Sequence, residues 1–134
     1  MITFTLQTRH TSEMVDITEQ VREAVIKEGV KSGLVAVFTP HTTASIVLFE
    51  NIDPKLRRDF LEALGRVAPA SHSYHHEDAN AAAHIKSALC GVRVVVPMEN
   101  AQMLLGEWQG IFFCEFDGPR ERKVIVQVIE EGAA

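Results

Sequence analysis

The strongest constraint on the fold is a set of short runs that are apolar at odd and even positions alike. Leu34-Val35-Ala36-Val37-Phe38 is wholly apolar, and Val92 to Val96 and Val124-Ile125-Val126 have the same character. A strand with one wet face alternates apolar and polar residues, so the sheet built from these runs must be covered on both sides. Helices or a second subunit can supply that cover. Only three segments read as helices, which makes burial against another subunit the expectation.

The first helix starts at Thr18 as N-cap, with Val21, Ala24 and Val25 on one face and Gly29 as its stop. The second has Asp53 as cap and Pro54 at the first helical position, with Leu56, Phe60, Leu61 and Leu64 along one side before Gly65. A third runs from about Asn80 to Leu89 and ends at Gly91. Further strands are expected at Ile2 to Gln7, Met14 to Ile17, Ala44 to Phe49, Met103 to Leu105, Ile111 to Phe116 and Lys123 to Ile129. Asp117-Gly118-Pro119-Arg120 forms the turn before the last. Repeats and linker composition are absent from the 134 residues. The expectation is one α+β domain over residues 1–134, a β-rich, sandwich-like mixed sheet with about three helices.

Thirteen Lys and Arg stand against eighteen Asp and Glu, a net charge of −5. That balance argues against nucleic-acid binding, which needs a basic face. Apolar runs are far shorter than the roughly 20 residues that cross a bilayer, so no membrane partner is expected. Met1 to Leu6 lacks the basic start and apolar block of a secretion signal, and a cytoplasmic protein is expected. Cys90 and Cys114 are isolated thiols without metal or disulfide spacing.

The histidines are unevenly placed. His41 follows Pro40 at the end of an apolar strand, His72, His75 and His76 share the aperiodic segment from Val67 to Glu77, and His84 lies on the third helix. An imidazole at a strand end or in the loop after it can move a proton near neutral pH or bind a divalent ion. His41, His76 and His84 are therefore the candidates, although the eight-residue step from His76 to His84 matches no compact zinc-helix signature. Glu50, Asn51 and Asp53 form an acidic cluster, with Asp53 also a helix cap. Trp108 between glycines can stack a planar ring, Gln109 can read its polar edge, and Arg120 can grip a phosphate.

Several of these residues fall into ordered motifs. They are His41-Thr42-Thr43-Ala44-Ser45, Glu50-Asn51-Ile52-Asp53, Tyr74-His75-His76, Ala83-His84-Ile85-Lys86 and Gly106-Glu107-Trp108-Gln109-Gly110, followed by Glu115. In that order they resemble the YjbQ-like family (UPF0047), also described as secondary thiamine-phosphate synthases, and the resemblance spans about Phe4 to Val128. It implies a compact α+β fold with a sandwich-like sheet, a homotrimer with sites at or near subunit contacts, and a joining of a pyrimidine pyrophosphate to a thiazole phosphate with release of pyrophosphate. It carries His41, Glu50, Asn51, Asp53, His76, His84, Trp108, Gln109 and Glu115 over as site residues, its Tyr-x-His pattern selecting His76. The family often has Thr where Glu107 stands, and Ala101-Gln102 departs from its usual turn. Strand alternation would point Glu107 away from the side Trp108 takes.

The expected mechanism has His41, His76 and His84 holding a divalent ion, helped by Glu50 or Glu115, which neutralises the departing pyrophosphate. Three imidazoles suit zinc or nickel, whereas pyrophosphate chemistry favours magnesium. Thr42, Thr43, Asn51, Asp53, Trp108, Gln109 and Arg120 would contact a phosphorylated small-molecule substrate. The alternatives are a metal-dependent phosphate-ester hydrolase and a non-enzymatic trimeric protein that binds a metabolite or metal.

Overall fold

The computed structural model describes residues 1–132. The elements are β1 (Ile2–Gln7), β2 (Glu13–Asp16), α1 (Thr18–Glu28), β3 (Gly33–Phe38), β4 (Ala44–Glu50) and α2 (Pro54–Val67), followed by α3 (Ala81–Cys90), β5 (Arg93–Glu99), β6 (Gln102–Met103), β7 (Gln109–Glu115) and β8 (Glu121–Glu130). The strands form two sheets, one in the order β1-β8-β3-β5-β6 and one in the order β2-β7-β4. This is the expected α+β sandwich with three helices. Every strand pairing is antiparallel rather than mixed.

The core lies between the sheets. Val35 and Val37 of β3, Val124 and Val126 of β8, Ile46 of β4, and Ile111 and Phe113 of β7 meet there with Ile17, Val21 and Val25 from α1 and the turn before it. On the far side of the small sheet, Phe60, Leu61 and Leu64 of α2 and Ala83 of α3 pack on Cys114 and Phe116. Both faces of β7 are thereby buried, which explains its unbroken apolar run. Cys90 and Cys114 are free thiols.

The outer face of the large sheet has no such cover. Leu34, Phe38, Val95 and Ile129 are 42%, 38%, 49% and 56% exposed. Register places them side by side, Leu34 between Ile129 and Pro97, and Phe38 between Ile125 and Arg93. The helices thus shield the inner layers, and the apolar character of β3, β5 and β8 on their second face is unmet among the described residues.

Local signals hold with small changes. Gly29 ends α1 at φ 68. The N-cap position of α1 falls on Ile17 rather than Thr18 and carries no side-chain cap, while the Thr18 N–H and hydroxyl both donate to Asp16 Oδ1 (2.9 and 2.6 Å). Asp53 caps α2 by accepting from Lys55 N–H at 2.9 Å, with Pro54 at the first helical position. α2 runs past Gly65 to Val67, because a single glycine inside a helix costs only about 1 kcal/mol. No helix among the described residues is long and apolar enough to cross a membrane.

Candidate functional site

The β4–β7 register decides which candidate residues meet. Ala44 lies opposite Glu115 at one end of this ladder and Glu50 opposite Gln109 at the other. Six residues of strand separate the ends, about 20 Å at the usual rise. The motifs therefore fall into two groups within the chain: His41, Thr42, Thr43, His76, His84, Glu115 and Arg120 near one end, and Glu50, Asn51, Asp53, Trp108 and Gln109 at the other.

At the first end, His41 and His84 line one hollow of ≈ 480 Å³ together with Thr42, Phe38 and Arg93. His84 also lines the adjoining hollow with Tyr74 and His76. The rings of His76 and His84 lie edge to face, with centroids 5.4 Å apart. His41 Nε2 accepts from the Lys123 backbone N–H at 2.9 Å. Burial and the charges of Arg122, Lys123 and Arg120 lower the His41 pKa below 6.5, against an opposing pull from Glu115.

Behind this hollow lies an ion pair that the expected mechanism did not contain. Glu115 is fully buried and Arg122 is 3% exposed, and they are joined through Arg122 Nε at 2.8 Å and through Nη2. Glu115 also accepts from the Thr8 hydroxyl at 2.7 Å and from the N–H groups of Phe116 and Asp117 at 3.1 and 3.0 Å. Burial opposes its ionisation most strongly, yet the hydrogen bonds of Arg122, Thr8 and Asp117 and the Arg122 charge together lower its pKa. The Arg122 guanidinium donates further to Thr43 Oγ1 at 2.9 Å. Glu115 and Thr43 are therefore turned inward and engaged with Arg122, and neither faces the hollow as a ligand.

Within one chain, the three imidazoles are not gathered into a metal centre. Among the described residues, no three His, Cys, Asp or Glu side chains are grouped to hold an ion. His41 Nε2 is engaged with a backbone N–H, and both Glu115 oxygens are saturated by donors. Glu50, the other proposed carboxylate, lies at the far end of the ladder, where it accepts from Asp53 N–H at 2.9 Å.

The second end looks like local structure with one exposed aromatic. Asp53 is the α2 cap, Asn51 Nδ2 donates to the Gln109 carbonyl at 3.4 Å, and Gln109 Oε1 accepts from Gly106 N–H at 2.8 Å. Trp108 is 56% exposed and cannot stack on a ligand in the His41 hollow of its own chain. Glu107 and Trp108 lie in a turn before β7 rather than on a strand, so the alternation expected for them does not apply; both are exposed.

Arg120 is present at the first end but already engaged. Its Nε donates to the Asp117 carbonyl at 2.7 Å and its Nη2 to Asp117 Oδ2 at 3.0 Å. Asn80 Nδ2 donates to the same carboxylate oxygen at 2.9 Å. Arg122, Asp117, Asn80, Lys123 and Arg93 were not among the candidates. Arg122 had a readable signal, since it shares the inward parity of Val124 and Val126 just as Glu115 shares that of Ile111 and Phe113. Two opposite charges at inward positions must find each other.

Comparison with known proteins agrees with the motifs. A family profile described as "UPF0047 protein YjbQ-like" matches residues 2–131. A UPF0047 protein of Archaeoglobus fulgidus is 45% identical over 127 residues, covering 93% of this chain and 98% of its own. The UPF0047 protein YugU of Bacillus subtilis is 41% identical over 128 residues, covering 95% and 97%. A YjbQ/UPF0047 family protein of Clostridium acetobutylicum, described as uncharacterized, superposes with TM-score 0.94 at 46% identity over 96% of this chain and all of that one. A protein of unknown function from Sulfolobus solfataricus gives 0.94 at 36% identity, over 97% and 96%. With its motifs, its fold and these relatives in agreement, the chain belongs to the YjbQ-like UPF0047 family.

Proposed function

We propose that this protein is a small-molecule enzyme that binds the phosphoryl or pyrophosphoryl group of its substrate in the His41–His84 hollow and stabilises that group as it departs. One observation carries this reading: His41, His84, Arg93 and Thr42 line one hollow, with Lys123 adding positive charge beside His41. Fixed donors and cations aimed at the departing group favour the transition state in which negative charge builds on a leaving oxygen. The Arg93 guanidinium and the His41 ring N–H would be such donors.

The family resemblance makes thiamine-phosphate formation the first reaction to test. There a carbon–nitrogen bond forms between pyrimidine methylene and thiazole, the carbon–oxygen bond breaks, and pyrophosphate leaves with the electron pair. The hollow suits the pyrophosphate. A heterocycle platform is missing beside it, since Trp108 lies about 20 Å away along the ladder. A neighbouring copy would supply it.

Homotrimer formation is part of the same proposal. The uncovered outer face of β8, β3 and β5 is apolar in its middle, carries Arg93 and Lys123 near the His41 end, and ends at Glu99 and Glu130 on the other. In a closed ring of three, the basic end of this face on one copy would meet the acidic end on the next, with Leu34, Val95 and Ile129 buried between copies.

The test is calorimetric titration with pyrophosphate, followed by turnover of the pyrimidine pyrophosphate and thiazole phosphate pair and of a panel of phosphate esters. Pyrophosphate binding that is lost in Arg93→Ala, with turnover lost in His84→Ala, supports the proposal. Binding without any turnover would make the protein a carrier. The absence of both would remove the proposal altogether.

A further inference from the structure

A chain of hydrogen bonds through Asn80 and Asp117, neither of them an expected site residue, fixes the protonation pattern of His76. Arginine has only donors and a carboxylate only accepts, so Arg120 and Asp117 are unambiguous in their 3.0 Å contact. Asn80 lies within 2.9 Å of the same Asp117 Oδ2. It must present its NH₂ there, because an amide oxygen facing a carboxylate oxygen would repel it. The Asn80 Oδ1 then faces the other way, 3.0 Å from His76 Nε2. That nitrogen must carry the hydrogen, with Asp78 Oδ2 on the same side at 3.9 Å. The neutral His76 ring is left with an unprotonated Nδ1.

His41 has the opposite polarity. Its Nε2 accepts from the Lys123 N–H, a group that can only donate, so its hydrogen sits on Nδ1. The Asp117 end of the relay is itself anchored, because the Asp117 N–H donates to the buried Glu115.

We propose that Asn80 and Asp117 are positioning residues that hold His76 as the Nε2–H tautomer, so that the paired hollows present a proton acceptor at His76 Nδ1 and a donor at His41 Nδ1. An acceptor and a donor flanking His84 suit a substrate with a hydroxyl or amino hydrogen at one end and a phosphoryl oxygen at the other. This use of the pair rests on the hollow being a substrate site; the tautomers do not.

The experiment is a long-range ¹H–¹⁵N correlation spectrum of the ¹⁵N-labelled full chain, at a pH where its imidazoles are neutral and without substrate. Wild type shows a protonated Nε2 for His76 and a protonated Nδ1 for His41. Asn80→Ala and Asp117→Asn, the latter removing the cue that orients Asn80, shift His76 toward a mixture of tautomers and leave the His41 pattern in place. The intact His41 pattern also reports that the variant is folded. A wild-type His76 protonated at Nδ1, or already a mixture, would overturn the assignment without any variant. So would an unchanged His76 pattern in folded Asn80→Ala. Failure to find turnover would defeat the enzymatic reading while leaving this result untouched.

Discussion

Arg122 on β8 and Glu115 on β7 join the two sheets through an ion pair that is 3% and 0% exposed. The two strands belong to different sheets, so no backbone ladder links them at this point. The pair does so instead, drawing in Thr8 from the end of β1 and Thr43 from the start of β4. One buried cluster thus sets where the His41 turn and the 116–120 connection sit relative to each other.

Breaking one side of this pair leaves the other charge buried and uncompensated. Arg122→Met should cost about 3–5 kcal/mol in urea unfolding. Arg122→Met combined with Glu115→Leu should recover a large part of that loss, because both charges then leave the interior together. An additive double variant would show that the pair is not coupled.

The two groups whose pKa values are lowered respond to acid in different ranges. The folded state keeps His41 neutral to a lower pH than the unfolded chain does, so the unfolded chain takes the proton first. Stability therefore rises with pH through a window whose upper limit is 6.5, the ordinary histidine value. Glu115 is held ionised below 4.5, so its contribution is present above that value and is lost as pH falls through its lower folded pKa. Melting temperature against pH should show both steps, and His41→Asn should remove only the upper one.

Asp53 is best explained as a helix cap. Asp53→Ala should lower stability by about 1 kcal/mol in thermal denaturation, the usual loss for a missing cap. Asp53→Asn should retain most of it, because the amide oxygen still accepts from Lys55 N–H. A loss in Asp53→Asn as large as in the alanine variant would point to a role for the negative charge.

The outer sheet face offers a test of assembly. Val95→Lys adds a charge at the centre of the exposed apolar surface without touching the core. Sedimentation should then report a monomer with an unchanged far-ultraviolet spectrum, where the proposed assembly calls for a trimer in wild type. A monomeric wild type would refute the proposed assembly.

Gly33 shows a close approach that sequence patterning does not reveal. Its φ is 156°, and a Cβ added there would lie 1.9 Å from the Ile129 carbonyl oxygen. Gly33→Ala should therefore push β3 away from β8, and it should lower the unfolding free energy by more than the roughly 0.4–1 kcal/mol by which a tolerated glycine replacement raises it. Urea unfolding measures this directly.

Secondary structure was largely legible because its signals are local. Asp53-Pro54 starts α2, Gly29 ends α1, and the apolar runs mark β3 and β5. Where reading failed, a neighbour in space prevailed over the local signal. Ile17 took the N-cap position expected of Thr18, whose N–H and hydroxyl are held by Asp16, and β6 shortened to two residues beside β5. The site was legible as a set of residues but not as a place. Motif order listed Glu50, Trp108 and His41 together, whereas the β4–β7 register puts them at opposite ends of one ladder.

From its sequence alone this protein had its element order, its family and its excess of apolar strand surface, since these depend on residue type and spacing along the chain. Tertiary structure alone decided that Glu115 belongs to Arg122, that His41 Nε2 is spent on a backbone N–H, and that Asn80 and Asp117 orient His76. Hydrogen bonding is directional and acts over about 3 Å. Which donor reaches which acceptor is therefore fixed only once residues far apart in the chain are folded against one another.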